Sequence, residues 1–348
     1  MSAPKTIDMK FKKFSPLNND VIIVDGLWGS GKSMLAPIIG GMSMVEKHKL
    51  NPIYEYMCCL NEVGKMSDDA CVALLKTYAD MDQYHNVIGR EVNFRWTDDS
   101  GVRNNPNTLR YISRLFGGEG EVYIDMINDN NIALFLMTHN IMLTSGLLYE
   151  SFGDRLKLIQ MVRHPVYLFE HWYTYLSRFD STREFTLSFD DDGYKIPWFW
   201  KDCPSDYKEL AIGDKVIRSM ILLYNLLFDS IGELNKKDVR FLVVSFESLA
   251  MDTKNILKKI EDYLERPHSE KIDKILKKQK LPREQLSKGK GLLNYGWRKS
   301  KRNSDKEDYN DYLEFIRKNT SESTLNEFDV LIARYNKEWP SILSQFHK

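Results

Sequence analysis

A run of β-branched residues, Val21-Ile22-Ile23-Val24, leads almost directly into Gly26-Leu27-Trp28-Gly29-Ser30-Gly31-Lys32-Ser33. Four such residues in a row have the continuous apolar character of a parallel strand covered on both faces. The eight that follow fit G-x-x-x-x-G-K-[ST], a pattern that needs a strand before it and a helix after it. Glycines let main-chain N–H groups turn inward, the helix behind them presents its positive end, and Lys32 adds a full charge. The order therefore predicts a phosphate cradle built from Gly26, Trp28, Gly29, Ser30, Gly31, Lys32 and Ser33. It does not name a reaction, since ATPases, kinases and other transferases share such loops.

Further strands are expected at Ile132 to Met137, Leu156 to Val162 and Val239 to Phe246, with helical periodicity between and after them. Val216, Met220, Leu223, Leu227 and Ile231 share one face of a helix that Asp214 is placed to cap. Strands alternating with helices point to an α/β fold, a doubly wound parallel sheet of the P-loop type flanked by helices in a single large domain. That domain spans 21–348 after a polar extension over 1–20. Asp180 to Lys208 reads as a long loop, a possible lid over an acceptor, and 303–348 reads as C-terminal helices. The 49 basic and 49 acidic residues cancel, and 43% hydrophobic content suffices for a core, so neither a disordered chain nor a polyanion binder fits. Nucleic acid is not an expected partner. Cys58, Cys59, Cys71 and Cys203 form no CxxC pair and no zinc spacing with histidine, which suits a reducing, cytoplasmic compartment, and no metal site is expected. No apolar stretch reaches the roughly 20 residues a membrane span requires.

A triphosphatase with this loop carries a second strand ending in an aspartate that holds magnesium. The strands here end instead in Thr138-His139, in Arg163-His164-Pro165 and in Glu247, while Asp125 sits within an amphipathic segment. At these residues the chain resembles the P-loop sulfotransferase family, over blocks that run in the family's order from Val21 to Trp297. Leu136-Met137-Thr138-His139 is similar to the family's Lys-Thr-His segment, and Leu158 to Pro165 to the strand-to-helix segment whose arginine holds a 3′-phosphate. Val243 to Leu249, running into Ile256 to Leu264, is similar to its Tyr-Glu-Asp-Leu strand and following helix. Lys288-Gly289-Lys290-Gly291 before Gly296-Trp297 is like its glycine-rich basic loop. Two departures stand out. Gly29 occupies the place of the family's loop lysine, with Lys32 where the family has threonine or a similar residue. His171 occupies the place of a serine eight residues after the arginine.

The resemblance implies transfer of a sulfuryl group from 3′-phosphoadenosine 5′-phosphosulfate (PAPS) to a hydroxyl or amine. His139 would be the general base, Lys32 and the loop amides would meet the phosphosulfate, and Arg163, His171, Lys288, Gly289 and Lys290 would contact the nucleotide. A hydrogen-bonded histidine at a strand end and a surface ion pair are the plain alternatives for His139 and Arg163. Lys271 to Arg302 holds twelve basic residues against two acids, suited to an anionic cofactor or simply to a solvated helix face and loop. Trp198-Phe199-Trp200, with Phe185, Phe189 and Tyr194, could line a sugar, phenol or lipid pocket or form the underside of a loop. The acceptor is expected to be a small molecule, carbohydrate or lipid. Two rival functions remain open: an ATP- and Mg²⁺-dependent kinase or NTPase, favoured by the intact loop, and a nucleotide-binding module without turnover.

Overall fold

The structure, a computed structural model, describes residues 10–98, 100–179, 186–288 and 302–346. Among the described residues six strands occur in chain order: β1 (Val21–Gly26), β2 (Leu134–Met137), β3 (Leu156–Val162), β4 (Ser188–Asp191), β5 (Tyr194–Pro197) and β6 (Leu242–Ser245). Four of them form one sheet in the order β2-β1-β3-β6, and all of its pairings are parallel. Val21 lies opposite Leu134 on one side and Leu156 on the other, so β1 is flanked on both edges and every one of its residues is buried. That is why its sequence is apolar without alternation.

Five helices separate β1 from β2: α1 (Lys32–Ile39), α2 (Ile53–Glu62), α3 (Asp68–Ile88), α4 (Thr108–Arg114) and α5 (Val122–Asp129). Then come α6 (Gly146–Phe152) before β3, α7 (Pro165–Leu176) after it, and α8 (Pro204–Glu209) and α9 (Ile212–Lys236) before β6. The chain ends in α10 (Phe246–Met251), α11 (Thr253–Leu264), α12 (Ile272–Gln279), α13 (Asp305–Asn319) and α14 (Glu322–Glu338). Consecutive strands β2 and β3 lie on opposite sides of β1, which makes the carboxyl end of β1 the point where the chain reverses direction across the sheet. Ligands of open α/β sheets settle in the crevice at that point. Among the described residues, no helix is long and apolar enough to cross a membrane.

Several expected boundaries shift for local reasons. The Ile132 and Val239 strands begin later, at Leu134 and Leu242. β6 stops at Ser245 because that hydroxyl accepts the Ser248 N–H at 3.1 Å and starts α10, which moves Phe246 and Glu247 onto a helix. Asp214 does not cap α9. Ala211 holds the cap position, and the Asp214 carboxylate accepts the Ser321 N–H at 2.9 Å and its hydroxyl at 3.0 Å, tying α9 to the start of α14. The expected loop over 180–208 contains the β4–β5 hairpin, a 3₁₀ turn at Trp198–Trp200 and α8. Asp192 (φ 54°) and Gly193 (φ 81°) make its two-residue turn, the left-handed pair that a tight hairpin demands.

Candidate active site

The phosphate loop leaves β1 at Gly26, where a Cβ would collide with the Met161 carbonyl on neighbouring β3. Gly31 (φ 101°) starts α1, and a Cβ there would sit 2.6 Å from the Phe246 ring. Main chain and Phe246 can approach this closely only because both positions lack a side chain. Lys32 is buried and donates to the carbonyls of Gly26 and, at 3.0 Å, Leu27. Burial pulls its ammonium down to about 8, against the attraction of Asp25 and Glu55. Ser30 is buried, and its hydroxyl has no hydrogen-bond partner among the described residues. Ser33 is exposed on α1.

The ring of Trp28 has a part of its own beside the loop. Its ring lies between His139 (centroids 5.5 Å apart, planes at 17°) and Tyr175 (5.3 Å, 21°), and its carbonyl accepts the Trp172 indole N–H at 3.0 Å. The loop's one large side chain thus forms a wall of the neighbouring cavity.

His139 follows β2. The Glu55 carboxylate on α2 accepts its main-chain N–H at 2.7 Å and lies 3.2 Å from Nδ1. An ionised carboxylate only accepts, so this pairing puts the imidazole proton on Nδ1 and leaves the Nε2 lone pair as a proton acceptor. The turn carrying His139 is fixed from β1 as well: buried Asp25 accepts the Thr138 hydroxyl and the Met142 N–H, each at 2.9 Å. Neither carboxylate was singled out by the sequence reading. Glu55 lies 84 residues from His139 on a separate helix, and no local pattern links them.

Arg163 emerges from β3 just before Pro165, the first residue of α7. Its Nη1 donates to the Gly29 carbonyl at 3.0 Å, and its guanidinium lies 4.1 Å from the centroid of the Phe246 ring. A second guanidinium, Arg283, stands 5.3 Å from the same ring, and among the described residues no carboxylate pairs with it. Burial, with the adjacent Arg163 charge, draws Arg283 down to about 10. Arg283 falls within the basic run, yet nothing in the sequence distinguishes it from its neighbours. Lys271 and Lys278 instead bind the 104–107 loop, the first at Pro106 O and Asn107 Oδ1 and the second at Asn104 Oδ1. Lys288 is exposed, and Gly289, Lys290 and Phe185 lie outside the described residues. His171 lies on α7, half-buried. Glu247 accepts the His164 N–H at 2.9 Å and the Tyr335 hydroxyl at 3.0 Å, which ties α10 to the start of α7 and to α14.

A cavity of about 430 Å³ opens beside the loop, bounded by Trp28, Glu55, His139, Tyr175 and the ends of the hairpin. Of the aromatic triplet, Trp198 lines it. Phe199 packs on Trp172, and Trp200 donates from its indole to Ser219 at 2.9 Å, so those two belong to the core. The arrangement offers an anion site of amides and cations on one side of the β1 terminus. On the other side it offers an oriented base facing a half-open cavity.

Residues 71–341 match the family model described as "Sulfotransferase domain", a match that begins beyond the phosphate loop. No curated protein matches the sequence. Among solved structures, a sulfotransferase from Mycobacterium avium aligns over 93% of this chain and 78% of its own at 11% identity, with a TM-score of 0.43. The sulfotransferase domain from the curacin biosynthetic pathway aligns over 91% and 98% at 13% identity, with a TM-score of 0.43. The sulfotransferase domain of the Synechococcus PCC 7002 olefin synthase aligns over 78% and 79% at 14% identity, with a TM-score of 0.35.

Proposed function

The chain belongs to the sulfotransferase domain family, and from that premise we propose that it moves a sulfuryl group from PAPS onto a hydroxyl or amine of a small acceptor. The observation that carries this reading is the placement of three functions at the carboxyl ends of adjacent strands. The phosphate loop follows β1, the His139–Glu55 pair follows β2 and Arg163 follows β3. A nucleotide with phosphate groups at two positions fits the residues present. Among the described residues the buried Ser30 hydroxyl lacks a partner, and the Arg163 charge lies close enough to Arg283 to lower it, so an anion held by both would relieve that repulsion.

When bound, PAPS supplies a sulfuryl group already activated on a phosphate leaving group. The protein's share is positioning and charge stabilisation, because transfers of this kind pass through a loose, in-line transition state. His139 Nε2 takes the proton of the acceptor hydroxyl as the acceptor oxygen bonds to sulfur, and Glu55 stabilises the imidazolium that results. The electron pair of the breaking S–O bond would leave with the donor's phosphate oxygen. The loop amides and Lys32 meet the charge there, since the lysine's two carbonyl contacts leave one of its three N–H donors. Arg163 and Arg283 would hold the 3′-phosphate, with the Phe246 ring between loop and guanidiniums fixing their spacing.

The rival of ATP- and Mg²⁺-dependent transfer rests on the intact loop and on exposed Ser33, which stands where a magnesium ligand would be. Calorimetric titration with 3′-phosphoadenosine 5′-phosphate (PAP) and with ADP, each with and without Mg²⁺, separates them. Metal-independent preference for PAP is expected; preference for ADP with Mg²⁺ would transfer the site to the rival.

A further inference from the structure

Helix α4 is amphipathic with its faces reversed. Its charged side chains turn toward the protein, because the fully buried carboxylate of Glu46 has to be neutralised there. Arg114 meets that carboxylate through both terminal nitrogens, at 2.7 and 2.9 Å, and the Tyr111 hydroxyl donates to it at 2.8 Å. Arg110 stands 3.4 Å from the same group. Holding 110, 111 and 114 inward leaves the other side of the helix to solvent. That side carries Leu109 and Ile112, with Phe116 in the turn that follows, at the i, i+3, i+7 spacing of a single stripe. Leu109 keeps 80% of its surface in solvent and Phe116 87%. Leu115, at the end of the helix, and Val122, at the start of α5, are exposed as well. Large apolar side chains grouped on the surface in this way mark a site of interaction.

The charges at the two ends of the stripe choose the partner. At its amino end Lys271 and Lys278 reach across from α12 to the loop that precedes α4, bonding Pro106 O, Asn107 Oδ1 and Asn104 Oδ1, each at 3.0 Å. These acceptors carry no charge. With Lys274 and Lys277, exposed on the same helix, the two lysines outnumber Asp273 and Glu270 and make this end basic. Beyond the carboxyl end stand Glu119, which pairs with Arg90, and then Glu121 and Asp125, both exposed and one turn apart at the start of α5. The stripe therefore runs from a basic end to an acidic one. A two-fold axis through the middle of α4 lays the stripe antiparallel on its own copy, and sets the basic end of each chain against the acidic end of the other. An anionic lipid surface would instead meet the acidic end with like charge. We propose that this face joins two copies of the chain, with the apolar stripes of α4 at the centre and a lysine-to-carboxylate pairing at each rim. The balanced charge of the whole chain adds no general repulsion between copies. The proposal stands apart from the choice of donor and acceptor.

Sedimentation velocity of the full-length protein from about 1 to about 100 µM reads the mass of the species in solution, which mass action shifts toward the dimer as concentration rises. A dimer is expected. Phe116→Asp, and independently Leu109→Asp, should weaken it at least about 100-fold, the loss that a central apolar anchor imposes. Both positions face solvent in the single chain, so circular dichroism should show the wild-type fold in each variant. Charge reversal tests the antiparallel arrangement. Glu121→Lys with Asp125→Lys makes both ends of the stripe basic, and Lys274→Glu with Lys277→Glu removes the basic end. Each reversed protein alone should associate at least about tenfold more weakly than wild type. An equimolar mixture of the two should recover the association, because both rims of the mixed dimer again pair opposite charges. A wild-type protein that stays monomeric throughout, including one that floats with anionic vesicles instead, would overturn the proposal. So would a dimer that folded Phe116→Asp and Leu109→Asp leave intact, or a mixture that associates no better than its components.

Discussion

Replacing Glu55 tests whether His139 works as an oriented base. In the structure one carboxylate oxygen accepts both the His139 main-chain N–H, at 2.7 Å, and the ring at Nδ1, at 3.2 Å. A unit charge 3.2 Å from a developing imidazolium is worth about 5 kcal/mol at an effective dielectric constant of about 20. The two side chains keep 20% and 28% of their surface in solvent, which screens part of that interaction. About 2–3 kcal/mol of transition-state stabilisation then remains, so Glu55→Ala should lower kcat by about 30- to 150-fold. Glu55→Gln keeps an acceptor for both N–H groups and loses only the charge, and should fall between wild type and Glu55→Ala. His139→Ala sets the floor, and adding Glu55→Ala to it should cost little more, because the two residues act as one unit. The assay is steady-state transfer from PAPS to 2-naphthol, alongside PAP affinity, which none of the variants should change. Wild-type kcat in Glu55→Ala, or additive losses in the double variant, would refute the oriented-base reasoning.

Three further outcomes follow from the same geometry. Arg283→Ala should weaken PAP binding by about 10- to 150-fold, the worth of one charged hydrogen bond, and leave ADP affinity within about twofold; equal losses for both nucleotides would remove Arg283 from the 3′-phosphate. Lys32, lowered to about 8 by burial, is protonated below that pH in the free protein and neutral above it, so a phosphate that needs the cation must bring a proton in at higher pH. PAP affinity should therefore be level below about pH 8 and fall as pH rises, by up to about tenfold per unit, with proton uptake visible in buffers of different ionisation heat; a level affinity from pH 7 to 9.5 contradicts it. Asp25→Ala orphans the Met142 N–H and the Thr138 hydroxyl, and urea unfolding should show a loss of about 2–4 kcal/mol together with lost transfer, whereas unchanged stability would mean that the His139 turn does not depend on β1.

Much of this site was legible because it is local in sequence. Strand β1 and its loop lie in one stretch of thirteen residues, Val21–Ser33, and His139 and Arg163 each stand just past an apolar run. The parallel sheet followed from the unbroken apolar run Val21–Val24 and from strands alternating with helices. What escaped was set by tertiary contact. Asp25, inside β1, drew no notice in the sequence, yet it is the buried brace of the His139 turn. Glu55 becomes a partner of His139 only when α2 packs beside β2. Arg283 looks like any other member of its basic run, and only the fold sets it over Phe246. The hairpin was readable and was passed over, since Asp192-Gly193 between alternating residues is a turn signal in its own right. Trp28 was read only as a member of the phosphate loop, and its ring also lines the neighbouring cavity, a role that depends on tertiary packing.

The most direct test of the account follows the group that moves. Protein is incubated with sulfur-labelled PAPS and 2-naphthol without metal, and in parallel with γ-phosphate-labelled ATP, Mg²⁺ and the same acceptor. Label in the naphthol from PAPS alone, lost in His139→Ala while PAP still binds, is the predicted result. Label from ATP alone, or PAPS-dependent transfer undiminished in His139→Ala, would contradict it.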